Sequence, residues 1–226
     1  MILLLLLLAR LIAAVLIFTK YHDIMTTISS IFGVLVVIWF WLRQPETLKD
    51  KYRIPYRLTI FKTGTVQFFK IRSAVIYTLL SGFITGSFMV YLSTSQHIFE
   101  KQYDLAEEFP LIFASLAISV GLATFFNSQL VVRFGMKRIV HAAMWSFIIT
   151  SLVFILIFRS GNNPGIEVLI IFFSIQFFTI GFLFGNLRAL AMEPMGHIAG
   201  IGSALNGFIS TVMAVPIANY IGNFVT

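Results

Sequence analysis

Long apolar runs alternate with short polar stretches along the whole chain. Each run is close to the ~20 residues that a helix needs to cross the ~30 Å hydrocarbon core of a bilayer. The runs are too long and too continuous for the alternating strands of a membrane barrel. They predict an all-α membrane protein with seven transmembrane helices, and the short connections favour antiparallel neighbours in one bundle. The predicted spans are residues 2–19, 25–42, 74–94, 109–132, 139–158, 168–189 and 198–222.

The first run, residues 2–19, shares its apolar core with secretory signal peptides but lacks their other parts. No basic segment precedes the Leu run, and no clear small-residue cleavage site follows it. We therefore interpret the run as a span. Arg10 lies in its middle, where a charge is costly unless the side chain reaches the membrane surface or faces protein.

Two polar interruptions stand out from the apolar pattern. The longer one is residues 43–72, whose second half mixes Phe, Ile and Lys in a way that suits a helix on the membrane surface; a solvated linker fits equally well. The shorter one, residues 185–200, joins the last two spans by a turn that contains charged and helix-breaking residues. We expect the two helices that meet at this turn to be central to the protein.

Composition agrees with a membrane protein. Only 11% of residues are charged, against roughly 25% in an average soluble domain, and the mean hydropathy is +0.93. The chain has no cysteine, so it offers neither a disulfide framework nor a thiolate metal site.

The basic residues predict an orientation. With the long polar segment inside the cell, 12 of the 16 Lys and Arg residues are cytoplasmic, and six of the nine acids are outside. The amino terminus is then cytoplasmic and the carboxyl terminus outside. The net charge of +7 therefore follows the membrane sides, and no nucleic-acid partner is predicted.

Three local motifs occur in an order that closely resembles one family. They are Arg-Gln-Pro-Glu-Thr-Leu at residues 43–48, Arg-Phe-Gly-Met-Lys-Arg at 133–138, and Ala-Leu-Ala-Met-Glu-Pro-Met-Gly-His-Ile-Ala-Gly at 189–200, followed by Ser-Ala-Leu-Asn-Gly at 203–207. The chain resembles the Bcr/CflA (bicyclomycin-resistance) drug efflux transporters of the major facilitator superfamily. The third motif is the most specific.

The resemblance implies an architecture and a function. Family members have twelve helices in two halves, and the matches place this chain at helices five to eleven. Residues 1–43 would then be two helices of the N-terminal half, 44–72 the linker between halves, and 73–226 five helices of the C-terminal half. The implied function is proton-coupled antiport of drugs or other small organic molecules out of the cell through the bacterial inner (plasma) membrane.

The departures from the family pattern concern what the chain lacks. The first four helices and the twelfth have no counterpart, and a Leu run replaces the Gly- and Pro-rich antiporter motif of helix five. Because transporters of this kind rock two halves about a site near the membrane midplane, we expect the chain to be an incomplete transporter that needs a partner chain with the missing helices. The alternative is a non-transporting orphan membrane subunit or a decayed fragment.

The sequence offers no catalytic, cofactor or metal site, so we do not expect an enzyme. None of the nine acids lies in the middle of a span, and the four histidines are at or near span ends. If the family's proton carrier exists, it belongs to the missing half. Uncharged polar and aromatic side chains within spans could instead line an amphipathic, drug-like substrate cavity. The predicted cavity residues are Tyr91, Phe113, Gln176, Phe178, Asn206 and Ser210.

The basic motif at 133–138 and the turn motif at 189–200 each have a structural and a gating interpretation. Pro194 cannot continue the preceding helix, and Gly196 permits the chain to reverse. Glu193 could accept hydrogen bonds from the amides that open the next helix, or pair with Arg188. The resemblance relates the second motif to a loop that holds the inward side closed, while positive-inside anchoring also explains it. The basic residues of this second motif are Arg133, Lys137 and Arg138.

Overall fold

The computed structural model describes residues 24–44, 58–159, 161 and 163–224. The predicted span at 2–19, with Arg10, lies outside these residues. The chain forms two compact units, Met1–Tyr56 and Arg57–Thr226. In the first unit the described part is a single apolar helix, α1 (Ile24–Arg43), which coincides with the span predicted at 25–42.

The second unit is built from helices, and its described residues contain no strand. Among the described residues, each predicted span falls on one observed helix, and the helix over 74–94 extends nine residues further, to Tyr103; this confirms the predicted all-α membrane fold. Apolar runs set these limits, because a backbone in lipid must satisfy its polar groups within the segment. The helices are α2 (Leu58–Lys70), α3 (Arg72–Tyr103), α4 (Phe109–Phe134), α5 (Met136–Phe158), α6 (Ile166–Met192), a 3₁₀ turn (Glu193–Ile198) and α7 (Ala199–Gly222).

Four stretches of the described chain are long and apolar enough to cross a membrane. They are α3, α4, α5 and the 57 residues Ile166–Gly222, which comprise α6, the 3₁₀ turn and α7. An unbroken helix of that length would extend about 85 Å, almost three times the hydrocarbon core. Pro194 and the non-helical backbone of Met195 (φ −113°, ψ 16°) break it into two spans.

Contacts between residues fix the direction of each helix. Thr78 contacts Asn206, and Gly86 approaches Ile217, so α3 and α7 run parallel. The α4 and α6 helices are also parallel, because Gly181 approaches Val120 while Asn186 bonds to Asn127. The α3 and α4 helices are antiparallel, because Phe99 contacts Phe109 while Tyr91 contacts Phe113. The α3 and α6 helices are antiparallel as well, because Phe88 contacts Phe184 while Tyr91 contacts Phe173. The same holds for α5 and α6, through Phe154–Phe172 and Ser151–Gln176.

The alternating directions give the second unit a basic and an acidic end. The basic end holds α2, the start of α3, the α4–α5 connection and the 3₁₀ turn. Acids dominate the opposite end, with Glu100, Asp104, Glu107, Glu108 and Glu167. This separation of charge agrees with the predicted orientation, in which the basic end is cytoplasmic.

The α6 helix lies at the centre of the second unit. It packs extensively against α3, α4 and α5, while α3 makes its most extensive contact with α7. The main core follows α6 through buried residues such as Phe177, Ile180, Leu183 and Leu187. A second, smaller core lies at the basic end, where Phe68 of α2 packs against Met195 and Ala74.

The α2 helix forms within the predicted linker and packs on the C-terminal bundle. It contacts α3 and α7, and Gly64 lies so close to α7 that an added Cβ would be 2.6 Å from Ile201 Cδ1. Its exposed apolar residues include Phe61 and Phe69. The compact unit therefore begins at Arg57, whereas the family resemblance drew the linker to residue 72; the assignment of 44–72 as a linker between halves stays a prediction.

Candidate functional site

Two of the predicted cavity residues are amides that cross-link helices inside the bundle. Asn206 on α7 donates from Nδ2 to Thr78 Oγ1 on α3 over 2.8 Å. Gln176 on α6 donates from Nε2 to Ser151 Oγ on α5 over 2.7 Å. Both amides are buried. Such bonds hold spans together because lipid offers polar groups no alternative partner.

A third amide link was not predicted. Asn186 on α6 donates from Nδ2 to Asn127 Oδ1 on α4 over 2.6 Å, and also to the carbonyl of Phe182 over 2.9 Å. Both asparagines lie within predicted spans, so the signal was present as two polar residues in apolar runs. What the sequence did not show is that they face each other.

Tyr91 is the centre of an aromatic cluster between α3, α4 and α6. Its ring is stacked on Phe113 with centroids 6.1 Å apart and makes edge contacts with Phe177 at 4.6 Å and Phe173 at 4.9 Å. The Tyr91 hydroxyl has Ser95 as a polar neighbour, but the two groups do not meet hydrogen-bond geometry. The structure therefore brings together two predicted cavity residues, Tyr91 and Phe113.

The six predicted cavity residues differ in exposure and do not share one surface. Tyr91, Gln176, Asn206 and Ser210 are at most 5% exposed, whereas Phe113 and Phe178 are 36% and 37% exposed. Phe178 lies apart from the Tyr91 cluster, in a groove between α4 and α5. Gln176 Oε1 and Ser210 Oγ are buried without a hydrogen-bond partner among the described residues. These two oxygens retain unused acceptor capacity.

The predicted turn residues meet at the basic end. Lys137 Nζ, at the start of α5, lies 3.7 Å from Glu193 Oε2, at the start of the 3₁₀ turn. Glu193 thus pairs with Lys137 and not with Arg188, and no side chain caps α7. The alternative of an Arg188 pair is not found among the described residues, and Arg188 is five residues before Glu193, outside the three- or four-residue spacing at which side chains on one helix meet.

Gly196 does not have the role that the sequence suggested. Among the described residues only Asp104, Gly135 and Gly161 have positive φ, and an added Cβ at Gly196 would meet nothing within 4 Å. The turn depends instead on Pro194 and Met195. The glycine that packs against the turn is Gly202, where an added Cβ would lie 2.7 Å from Met195 Sδ.

The basic motif at 133–138 surrounds the one-residue connection between α4 and α5. Gly135 has φ +81° and bends the chain between the two helices. The Arg133 guanidinium lies 5.1 Å from the Phe134 ring centroid, a cation–π arrangement. A shallow depression of about 550 Å³ beside it is lined by Lys137, Arg138 and Glu193.

A short internal repeat contains the glycines at two close contacts between helices. Gly-Phe-Ile-Thr-Gly-Ser at 82–87 on α3 matches Gly-Phe-Leu-Phe-Gly-Asn at 181–186 on α6. In each copy the first glycine brings its helix close to a parallel partner: Gly82 to Met213 on α7, and Gly181 to Ala123 and Val120 on α4. The two copies lie on helices that run in opposite directions.

No group of three or more potential metal-ligating side chains occurs among the described residues. The absence of a metal or cofactor requirement stays a prediction from the sequence.

These features define a polytopic α-helical membrane protein whose spans are joined by buried amides and close glycine contacts. The chain matches the family model of the Major Facilitator Superfamily over residues 2–218. It belongs to that superfamily of membrane transporters.

Two curated relatives support this assignment. The chain is 30% identical over 209 residues to the uncharacterized MFS-type transporter YdgK of Bacillus subtilis strain 168, covering 91% of this chain and 50% of that protein. It is 23% identical over 209 residues to the bicyclomycin resistance protein homolog of Haemophilus influenzae, covering 85% and 48% respectively. The chain therefore spans about half the length of the curated relatives it matches. No solved structure matches it.

Proposed function

We propose that the bundle of Arg57–Thr226 acts as one half of a Bcr/CflA-type exporter, which moves small drug-like molecules out of the cell against protons across the inner membrane. The observation that carries this proposal is the repeated Gly-Phe-x-x-Gly segment on the oppositely directed helices α3 and α6, each closing a parallel helix pair. Inverted structural repeats of this kind are the building principle of many secondary transporters.

The Tyr91 cluster supports the class of substrate. Phe113 is partly exposed and covers Tyr91, so its outer face offers an aromatic wall to a ligand. Aromatic walls bind by apolar area, and a few polar groups orient the ligand. We assign the substrate wall to Phe113 and Tyr91, with Gln176, Asn206 and Ser210 holding the helices behind it and Phe178 outside it.

Further helices are part of this proposal. Alternating access requires two halves, and the curated relatives are about twice as long as the matched region. Proton coupling requires a titratable group inside the membrane. The described spans carry no acid in their middle, so we assign that group to helices beyond this bundle.

The basic-end contacts support a gate. The Lys137–Glu193 pair joins the α4–α5 connection to the 3₁₀ turn between α6 and α7. Both groups are more than half exposed, so the pair contributes little to stability and can open at low cost. We propose that the basic motif and the turn form and release such contacts as the inward side closes and opens.

Dye export from proteoliposomes tests the proposed function. Vesicles would contain this chain alone, a second chain carrying the part of the Bacillus relative outside the match, or both. Ethidium export that depends on an imposed pH gradient is expected with both chains together. Export by this chain alone would contradict the need for further helices. Absence of export from every combination would contradict transport and favour an orphan membrane subunit or decayed fragment.

A further inference from the structure

An apolar groove of about 480 Å³ lies at the basic end of the bundle, between α4 and α5. Phe134 and Leu130 of α4 form one wall, Ala142 and Ile139 of α5 the other, and Phe182 of α6 part of the floor. Phe178 also lines it. Its volume is within the usual range for small-molecule sites.

The groove exists because α4 and α5 both pack on α6 and make little contact with each other. Successive residues on α6 are 100° apart around the helix axis. Gly181 faces α4, Gln176 faces α5, and Phe178 lies in the sector between them. Phe177, one residue earlier, faces α3 and Tyr91, so the groove and the proposed substrate wall are on different sides of α6.

Positive charge is concentrated at the mouth of the groove. Arg138 is one of its lining residues, and Arg133 stacks on Phe134, another lining residue. Within the described ranges, neither arginine has a carboxylate within salt-bridge distance, whereas Lys137 is engaged by Glu193. The groove therefore combines an apolar interior with an uncompensated guanidinium at the membrane surface.

We propose that this groove binds an anionic phospholipid of the surrounding bilayer, with an acyl chain between α4 and α5 and the phosphate at Arg138. An acyl chain alone gains little from the groove, because lipid tails are as apolar as its walls. Selectivity comes from the charge: basic pockets between transmembrane helices on the cytoplasmic side are suited to anionic headgroups, and Arg pairs with phosphate in a bidentate manner. This site does not depend on the proposed transport function.

Fluorescence quenching by brominated lipids tests the site on the full chain in vesicles. Trp39, Trp41 and Trp145, the three tryptophans of the chain, are replaced by Phe, and Phe178→Trp places one reporter in the groove. Brominated phosphatidylglycerol and brominated phosphatidylcholine are compared at equal bromine content. We expect the association constant of phosphatidylglycerol at the reporter to exceed that of phosphatidylcholine by about fivefold. This is the effect expected of one basic group near an anionic headgroup.

Matched variants separate a built site from diffuse surface charge. Arg138→Gln should abolish the preference and Arg138→Lys should retain part of it. Arg72→Gln, which removes an exposed guanidinium at the same end outside the groove, should leave it unchanged. Ala142→Phe should fill the groove and reduce quenching by both lipids, whereas Ile148→Phe, at an exposed position of α5 outside the groove, should not. Circular dichroism confirms that each variant remains helical.

Three results would overturn the proposal. Equal quenching by the two lipids would show that Arg138 selects no headgroup. A loss of preference as large in Arg72→Gln as in Arg138→Gln would reduce the effect to general surface charge. Displacement of lipid from the reporter by micromolar ethidium would make the groove part of a drug path.

Discussion

Asn206 on α7 and Thr78 on α3 share a buried hydrogen bond of 2.8 Å although 128 residues separate them in sequence. The bond lies in the most extensive helix contact of the structure and runs between two parallel helices. It joins the helix that follows the 3₁₀ turn to the helix that follows α2. The bond is therefore one of the contacts that join the first and the last membrane-spanning helices described in the second unit.

A double-mutant cycle on this pair is the first prediction. Asn206→Ala and Thr78→Val should each lower the free energy of unfolding by about 1 kcal/mol, as for interhelical hydrogen bonds in membranes. The double variant should cost less than the sum, because either change removes the same bond. The measurement is SDS titration from mixed micelles. Strict additivity would show that the bond contributes no coupling.

The second prediction compares two glycines of one motif. At Gly181 an added Cβ would lie 2.7 Å from Ala123 Cβ and 2.8 Å from the backbone oxygen of Val120, so α4 and α6 must move apart. Gly181→Ala should destabilise the protein by about 1–3 kcal/mol. At Gly185 nothing lies within 4 Å, so Gly185→Ala should be neutral or stabilising by up to about 1 kcal/mol.

The same unfolding titration measures both glycine variants. Each adds one methyl group within α6, so helix propensity changes equally and only the neighbourhood differs. Similar free energies for the two variants would mean that the close approach of α4 and α6 is not a determinant of stability.

The sequence predicted the helices well because lipid imposes a length and composition on every span. The limits of α6 and α7 follow from the apolar run and from Pro194. The sequence did not predict which side chains form hydrogen bonds between helices. Nothing in it indicates that the Gln176 amide reaches Ser151, or that Asn127 and Asn186 face each other. Such pairings depend on helix rotation, which is set by packing against several neighbours at once.

The candidate site was predicted by residue type more than by position. Tyr91 and Phe113 do come together, but Phe178 faces a different surface from its sequence neighbour Phe177. A step of 100° per residue is enough to place adjacent aromatics on different faces of α6. Gly181 and Gly185 likewise belong to one motif, yet only the first is in close contact.

The third prediction concerns the docking of α2. Phe68 is fully buried against Met195 and Ala74, whereas the neighbouring Phe69 is 57% exposed. Phe68→Ala should release α2 from the bundle, because removing a buried ring leaves a cavity that the surroundings fill only in part. Phe69→Ala, the same change on the exposed face, should not.

Hydrogen exchange followed by mass spectrometry reads this out directly. The amides of residues 58–70 should lose protection in Phe68→Ala while those of α6 keep theirs. Equal exchange of α2 in the two variants would mean that the Phe68 contact does not hold the helix in place.

The fourth prediction tests the gate, and it rests on the proposed function. Because Lys137 and Glu193 are 66% and 55% exposed, Lys137→Gln should change the free energy of unfolding by less than about 1 kcal/mol. Lys137→Glu should nevertheless slow gradient-driven ethidium export by about fivefold, since it places two carboxylates where the pair forms. Combining it with Glu193→Lys should restore the rate by re-forming the pair in reverse. Arg188→Glu makes an equal change in charge at the basic end of α6, but Arg188 does not pair with Glu193, so Glu193→Lys should not restore its rate. If the swapped pair stays as slow as Lys137→Glu alone, the 3.7 Å contact has no part in transport, and the basic motif acts only to anchor the positive end of the protein in the cytoplasm.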